Sequence, residues 1–221
     1  MEQNRETLEG TRADFSVQLM LEARAKAKEA VHRIAAKVHP GMAEEYANTV
    51  VAETLQEMGS SKNFHKAYIR FGTNTTKTFG AESDPGVVLG EDDIFFIDVG
   101  PVFGEYEGDA GDTFVTGNNR DFRRAAEDAR NVFNAVLEKW KTEKATGAEL
   151  YNFAEQKAKE LGWTLNLDLG GHRLGDFPSG QHYEGPLSEI TFTPAPNLWM
   201  VEIHLLHPEQ QFGSFYEDLL M

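Results

Sequence analysis

The chain has 221 residues, 36 acidic against 21 basic side chains, a net charge of −15, and hydrophobic and aromatic contents of 40% and 11%. That length and apolar content can bury a substantial core and argue against intrinsic disorder. The acidic balance disfavours nucleic-acid binding, which needs clustered Lys and Arg, and the absence of cysteine excludes a disulfide scaffold, a thiolate zinc site and a thiol nucleophile.

Residues 1–14 read as a flexible leader, polar and acidic, without the apolar core or cleavage site of a secretory signal. No stretch approaches the roughly 18 apolar residues of a membrane span, so a cytoplasmic location and no membrane partner are expected. Helical spacing of Phe15, Leu19, Ala23, Ala27, Ala30 and Ile34 predicts a helix over 14–38, ended by His39-Pro40-Gly41. A second helix is predicted over 43–58, stopped by Gly59. Short β-branched and aromatic runs bounded by Gly, Pro and Asp predict strands at 67–71 and 93–101, with a hairpin-like return over 106–117. Two amphipathic helices follow at 120–141 and 148–161. Strand and turn signals then resume at 165–169, 182–183, 198–206 and 211–220. Helix pair, sheet, helix pair, sheet is a two-fold pattern of the α+β class. With no low-complexity linker, residues 15–221 are expected to form a single domain.

The segment 94–117, IFFIDVGPVFGEYEGDAGDTFVTG, carries most of the chemical signal. Asp98 ends a run of four apolar residues, where a buried carboxylate is costly unless compensated. Asp109 follows eleven residues later across a turn, and two antiparallel strands can bring the pair together, where like charges repel unless a cation sits between them. Asp109 alone reads equally well as a turn residue. Further on, His172 follows a Gly-Gly pair, and Glu202 and Glu217 each interrupt a hydrophobic strand. Each alone is compatible with a satisfied buried polar group or a sheet-edge charge. Together they form a set of oxygen and imidazole donors suited to one or two divalent ions.

In this order the five residues resemble the metal site of the pita-bread metallopeptidases, the family of methionine aminopeptidases, Xaa-Pro aminopeptidases, prolidases and creatinase. The phrase IDVG…Y.GD…TF, the eleven-residue Asp–Asp interval, the 63 residues from Asp109 to His172 and the VHPGMAEEYA segment carry the resemblance, which covers residues 15–221. It implies a curved antiparallel sheet backed by two helix pairs. It also implies that Asp98 chelates one ion, that Asp109 and Glu217 bridge two, and that His172 and Glu202 complete the second. Two divalent ions (Mn, Fe, Co or Zn) would activate a shared water, and Glu202 would relay its proton. The implied substrate is a short peptide, cut at its N-terminal residue or at an Xaa-Pro bond, or a small amide.

The departures from the family pattern bear on the substrate. The segment 72–80, GTNTTKTFG, has Thr78 and Phe79 where family peptidases carry a substrate-facing His. A second family His is expected seven to eleven residues after His172. His182 either serves in its place from a shifted turn or is an ordinary strand residue. His65 is a candidate pocket residue. His204, two residues beyond Glu202 and so on the same strand face, is a candidate outer donor or additional ligand. Asp112 is expected to add negative charge near the site. Glu217 follows Glu202 by only fifteen residues, a short hairpin that leaves the pocket little covered and makes a homodimer an expectation. A non-peptidase hydrolase or lyase acting through His65, His182 or His204, and a catalytically degenerate binding protein, are the alternatives.

Overall fold

The computed structural model describes residues 5–221. In chain order these form α1 (Arg5–Leu8), α2 (Val17–Lys37), α3 (Glu44–Glu57), β1 (Lys62–Asn63), β2 (Tyr68–Phe71), β3 (Ile94–Val99), β4 (Pro101–Phe103), β5 (Tyr106–Glu107) and β6 (Ala110–Val115). There follow α4 (Arg120–Glu143), α5 (Gly147–Glu160), β7 (Thr164–Leu165), β8 (His172–Arg173), β9 (Trp199–Leu206) and β10 (Gly213–Leu219).

The long helices start where local chemistry can satisfy their free N–H groups. The Ser16 side chain accepts from Leu19 N at the start of α2, and Asn119 does the same for Asp121 and Phe122 at α4. Thr146 and Glu149 form a reciprocal capping box on α5. At the start of α3 the buried Glu44 carboxylate accepts from Phe71 N at 2.6 Å and from Asn74 Nδ2 at 3.1 Å, tying the helix to the end of β2. The alanine stripe of α2 has a packing consequence. A Cβ on Gly108 would stand 2.6 Å from Ala23 O, so small residues on both sides let helix and sheet approach closely.

The main sheet is antiparallel, in the order β2-β3-β6-β10-β9-β7, with β8 also paired to β9. Strand alternation sorts its two faces. Phe71, Phe95, Ile97 and Val99 pack with Ala27, Val31 and Ile34 of α2 and Val51 and Leu55 of α3. Trp199, Val201, Ile203 and Leu205 pack with Val132, Phe133 and Val136 of α4 and Leu150 and Ala154 of α5. Both helix pairs therefore cover one face. The other face carries Asp98, Gly111, Glu217 and Glu202. A small sheet, β1-β4-β5, stands apart from the main one.

The expected helices are all present, with ends shifted by a few residues. The hairpin return over 106–117 is split, since β5 pairs within the small sheet and only β6 joins the large one. The strand expected at 182–183 is not formed; a 3₁₀ turn spans Ser179–Gln181 and His182 follows it. The strand expected at 165–169 is confined to β7.

Within the leader expected over 1–14, Leu8, Glu9, Gly10 and Arg12 make hydrogen bonds to the rest of the fold; residues 1–4 lie outside the described residues. Arg173 is buried, and its guanidinium donates to Leu8 O at 3.0 Å and Gly10 O at 2.8 Å. The Glu9 carboxylate accepts from Ala195 N and Trp199 Nε1, and Arg12 N donates to Asp176 Oδ2. The segment's polar composition hides this role because its anchors are two backbone carbonyls, one carboxylate and one backbone N–H rather than an apolar stripe. Among the described residues no helix is long and apolar enough to cross a membrane.

Candidate metal centre

One rung of the sheet assembles most of the site. Asp98 on β3 stands opposite Gly111 on β6, Gly111 opposite Glu217 on β10, and Glu217 opposite Glu202 on β9. Three carboxylates from distant parts of the chain thus project from one face, separated at a single place by a residue with no side chain. Asp109 enters from the turn just before β6, two residues from Gly111 and so on the same face. His172 opens β8, which docks on β9 opposite Met200.

The Gly-Gly pair before His172 has a steric reason. Gly171 has φ +68°, and a Cβ there would stand 2.4 Å from Met200 O and 2.7 Å from the Tyr151 hydroxyl. Its N–H donates to Glu202 Oε2 at 2.8 Å, which fixes that carboxylate. The Tyr151 hydroxyl reaches from α5 to the backbone of Glu202, accepting from its N–H at 3.0 Å and donating to its carbonyl at 3.2 Å. Sequence reasoning missed Tyr151, because an aromatic on an amphipathic helix reads only as core.

Asp109 is fully buried between two imidazoles. His65 Nε2 lies 3.1 Å from Oδ1 and 3.6 Å from Asp98 Oδ1, and His172 Nε2 lies 3.0 Å from Asp109 Oδ2. Burial opposes ionisation of Asp109, but the two imidazoles outweigh it and hold its pKa below the ordinary value. Burial likewise opposes charge on the imidazoles. Against it, Asp98 and Asp109 hold His65 up at about 9, and Asp109 and Glu202 hold His172 up at about 10. Burial pushes Asp98 up to about 7, with His65 pulling it down and Asp109 and Glu202 pushing it up. Glu202 is raised by burial, which His172 opposes. Glu217 is raised well above the carboxylate range, by burial first and then by Asp109, Asp98 and Glu202.

These residues pass a physical test for holding a cation. Glu217 is 2% exposed and its Oε1 has no hydrogen-bond partner, a costly arrangement for a carboxylate surrounded by other acids. Ligand atoms of Asp109, His172 and Glu217 lie within 4.8 Å of one another, as do those of His65, Asp98 and Asp109. Divalent ions would supply the missing partner and offset the repulsion. A cavity of about 440 Å³ opens over Asp98, His172, Glu202 and Glu217, walled by Phe64, Phe79, Leu169 and Pro186.

His65 lines this cavity; His182 and His204 do not. His182 follows the 3₁₀ turn, with Nε2 beside Gln181 Nε2 at 3.4 Å. His204 is fully buried, and both its ring nitrogens are engaged: Nε2 donates to Thr75 O at 2.8 Å, and Nδ1 accepts from Asn166 Nδ2 at 3.1 Å. Burial, reinforced by nearby Arg70, lowers its pKa to about 4. Sharing a strand face with Glu202 did not suffice, because Thr75 and Asn166 approach that part of the face first. The expected negative charge of Asp112 is also misplaced. Asp112 pairs with Ile97 on the helix-covered face, where Arg130 of α4 meets its carboxylate at 2.6 Å.

An antiparallel sheet with two helix pairs on one face and a carboxylate-rich rung on the other is the pita-bread architecture, the class of fold that the solved structures share with this one. The chain belongs to metallopeptidase family M24, whose family model matches residues 18–221. An X-Pro aminopeptidase from Thermotoga maritima MSB8 superposes with a TM-score of 0.75 at 16% identity, over 92% of this chain and 60% of that one. An Xaa-Pro dipeptidase from Bacillus anthracis gives 0.75 at 20% identity, over 97% and 59%. A methionine aminopeptidase from Thermotoga maritima gives 0.72 at 14% identity, over 96% and 97%. The chain thus spans about three fifths of the two proline-directed enzymes and nearly all of the methionine aminopeptidase. Comparison with curated proteins by sequence finds no match.

Proposed function

We propose that the protein is a metal-dependent hydrolase that cleaves an amide bond in a short peptide, with Asp98, Asp109, His172, Glu202 and Glu217 holding two divalent ions. The observation that carries this reading is that Asp98, His172, Glu202 and Glu217 line one cavity, that ligand atoms of Asp109, His172 and Glu217 lie within 4.8 Å of one another, and that a buried Glu217 oxygen lacks a hydrogen-bond partner. Mixed carboxylate and imidazole donors suit Mn, Fe(II), Co or Zn. Bound there, such ions polarise a carbonyl and lower the pKa of water.

The chain's own residues supply the rest. Glu202 is held through Oε2 by Gly171 N–H, which leaves Oε1 to carry a proton toward a leaving amine. Phe64, Phe79, Leu169 and Pro186 form apolar walls that exclude water and take a side chain. Asp168 and Glu184 also line the cavity, and its lining contains neither Lys nor Arg. That charge favours the free amine at a peptide's N-terminus over the carboxylate at its other end. The test is release of free amino acid from a panel of dipeptides and tripeptides, Xaa-Pro included, by protein loaded with Mn or Co. Activity abolished by chelation and restored by metal supports the proposal; a fully metallated sample that leaves the whole panel intact overturns it.

A second reading, a non-peptide C–N substrate on the same centre, is favoured by Phe79, which stands at the cavity where a substrate-facing His was expected. Turnover of a small non-peptide amide with no peptide cleavage would select it.

A further inference from the structure

His65 and His172 are placed alike about one carboxylate. His65 Nε2 faces Asp109 Oδ1 at 3.1 Å and His172 Nε2 faces Oδ2 at 3.0 Å. Each ring is fixed from behind in the same way: His65 Nδ1 lies 2.9 Å from the carbonyl of Lys66, and His172 Nδ1 lies 2.8 Å from that of Arg173. A carbonyl only accepts, so each Nδ1 carries its hydrogen and each Nε2 is the nitrogen left for an ion. A ligating imidazole is commonly oriented in this manner, with its other N–H on a backbone carbonyl.

The surroundings of His65 are shaped for that position. A Cβ on Gly100 would stand 2.2 Å from its Cδ2 and 2.3 Å from its Nε2, so the ring enters only because residue 100 has no side chain. Phe64 and Phe79 pack edge-on against the ring, at centroid distances of 4.6 and 5.8 Å. Its side chain is 13% exposed. The Nε2 atom and carboxylate oxygens of Asp98 and Asp109 lie within 4.8 Å of one another, a spacing that one ion can span.

We propose that His65 is a sixth protein ligand, binding through Nε2 the ion held by Asp98 and Asp109, as the counterpart of His172 on the other side of the Asp109 carboxylate. This rests on the reading that the centre holds divalent ions. It gives each of two ions an imidazole, which favours transition metals over Mg or Ca at both positions.

The test uses the full chain with ¹⁵N-labelled histidine, loaded with Co(II) and observed by NMR in water. Two strongly shifted, exchangeable imidazole N–H signals are expected, one lost in His172→Ala and the other in His65→Ala. Co(II) titration of His65→Ala should show binding at one position weakened by about tenfold or more. His65→Gln serves as a second variant, and the wild-type signal count decides the matter if neither variant folds. A single shifted signal, absent from His172→Ala, overturns the role of His65 while leaving the metal centre standing. A wild-type protein that takes up no Co(II) overturns both.

Discussion

Gly111 and Glu217 are direct partners across β6 and β10, and a Cβ built on Gly111 would stand 2.9 Å from Glu217 Oε1 and 2.3 Å from Phe215 Cε1. The missing side chain keeps a place open between Asp98 and Glu217 in the rung. Gly111→Ala should therefore destabilise the fold by about 1–3 kcal/mol through overpacking and also weaken metal uptake. Denaturant unfolding and metal titration of the variant check both effects, and an unchanged metal affinity would contradict the role given to this gap.

The metal-free protein should lose stability as pH rises. Asp98 is raised from 3.8 to about 7 in the fold, so the folded state retains a proton that the unfolded chain gives up, and its stability falls between those values. His65 and His172, raised from 6.5 to about 9 and about 10, contribute stability that is full below pH 6.5 and is lost as pH climbs through the folded values. Metal reverses this trend, because the ligands must shed protons to bind it. Mn or Co at a fixed concentration, about a hundred times its Kd at pH 7, should add about 2.7 kcal/mol at that pH, with a gain that grows from pH 6 to 8 as Kd falls. Tm against pH, with chelator and with metal, tests the opposed slopes.

His204 should prove structural. His204→Ala leaves Thr75 O and the Asn166 amide without their partner in a buried place and should cost about 2–4 kcal/mol. Metal stoichiometry should not change. His182→Ala should change stability by less than about 0.5 kcal/mol. Thermal denaturation with metal analysis separates the two residues, and loss of an ion from His204→Ala would show that the ring has a second arrangement.

Tyr151→Phe removes the hydroxyl that serves both the N–H and the carbonyl of Glu202. Leaving those buried groups unpaired should cost about 1–3 kcal/mol, and metal affinity should fall as Glu202 loses its anchor. Unfolding curves and a Co(II) titration of the variant measure the pair of effects.

The leader gives a further prediction. Removing residues 1–12 takes away Leu8 O and Gly10 O, two of the acceptors around the buried Arg173, and should destabilise the protein by several kcal/mol. Arg173→Met in the truncated chain should restore part of that loss. Denaturation midpoints of the two shortened proteins compare them directly.

Asp98, Asp109, His172, Glu202 and Glu217 were legible as a set in the sequence, because a charge that interrupts an apolar strand is conspicuous and their order and intervals are characteristic. The helices were equally legible, since amphipathic periodicity and capping are local properties of the chain. The separate roles of the other histidines were not. His65 and His204 are both imidazoles near a strand, yet Gly100 admits one to the cavity, whereas Thr75 and Asn166 bind the other in the core. Asp112 lies three residues from Asp109, but strand alternation turns it to Arg130. Residue type and local periodicity suffice to show which donors the chain possesses and which segments carry them. Which side chains share a rung, which imidazole nitrogens face Asp109 and what pins the leader emerge only in the fold, because those depend on strand register and on neighbours many residues away.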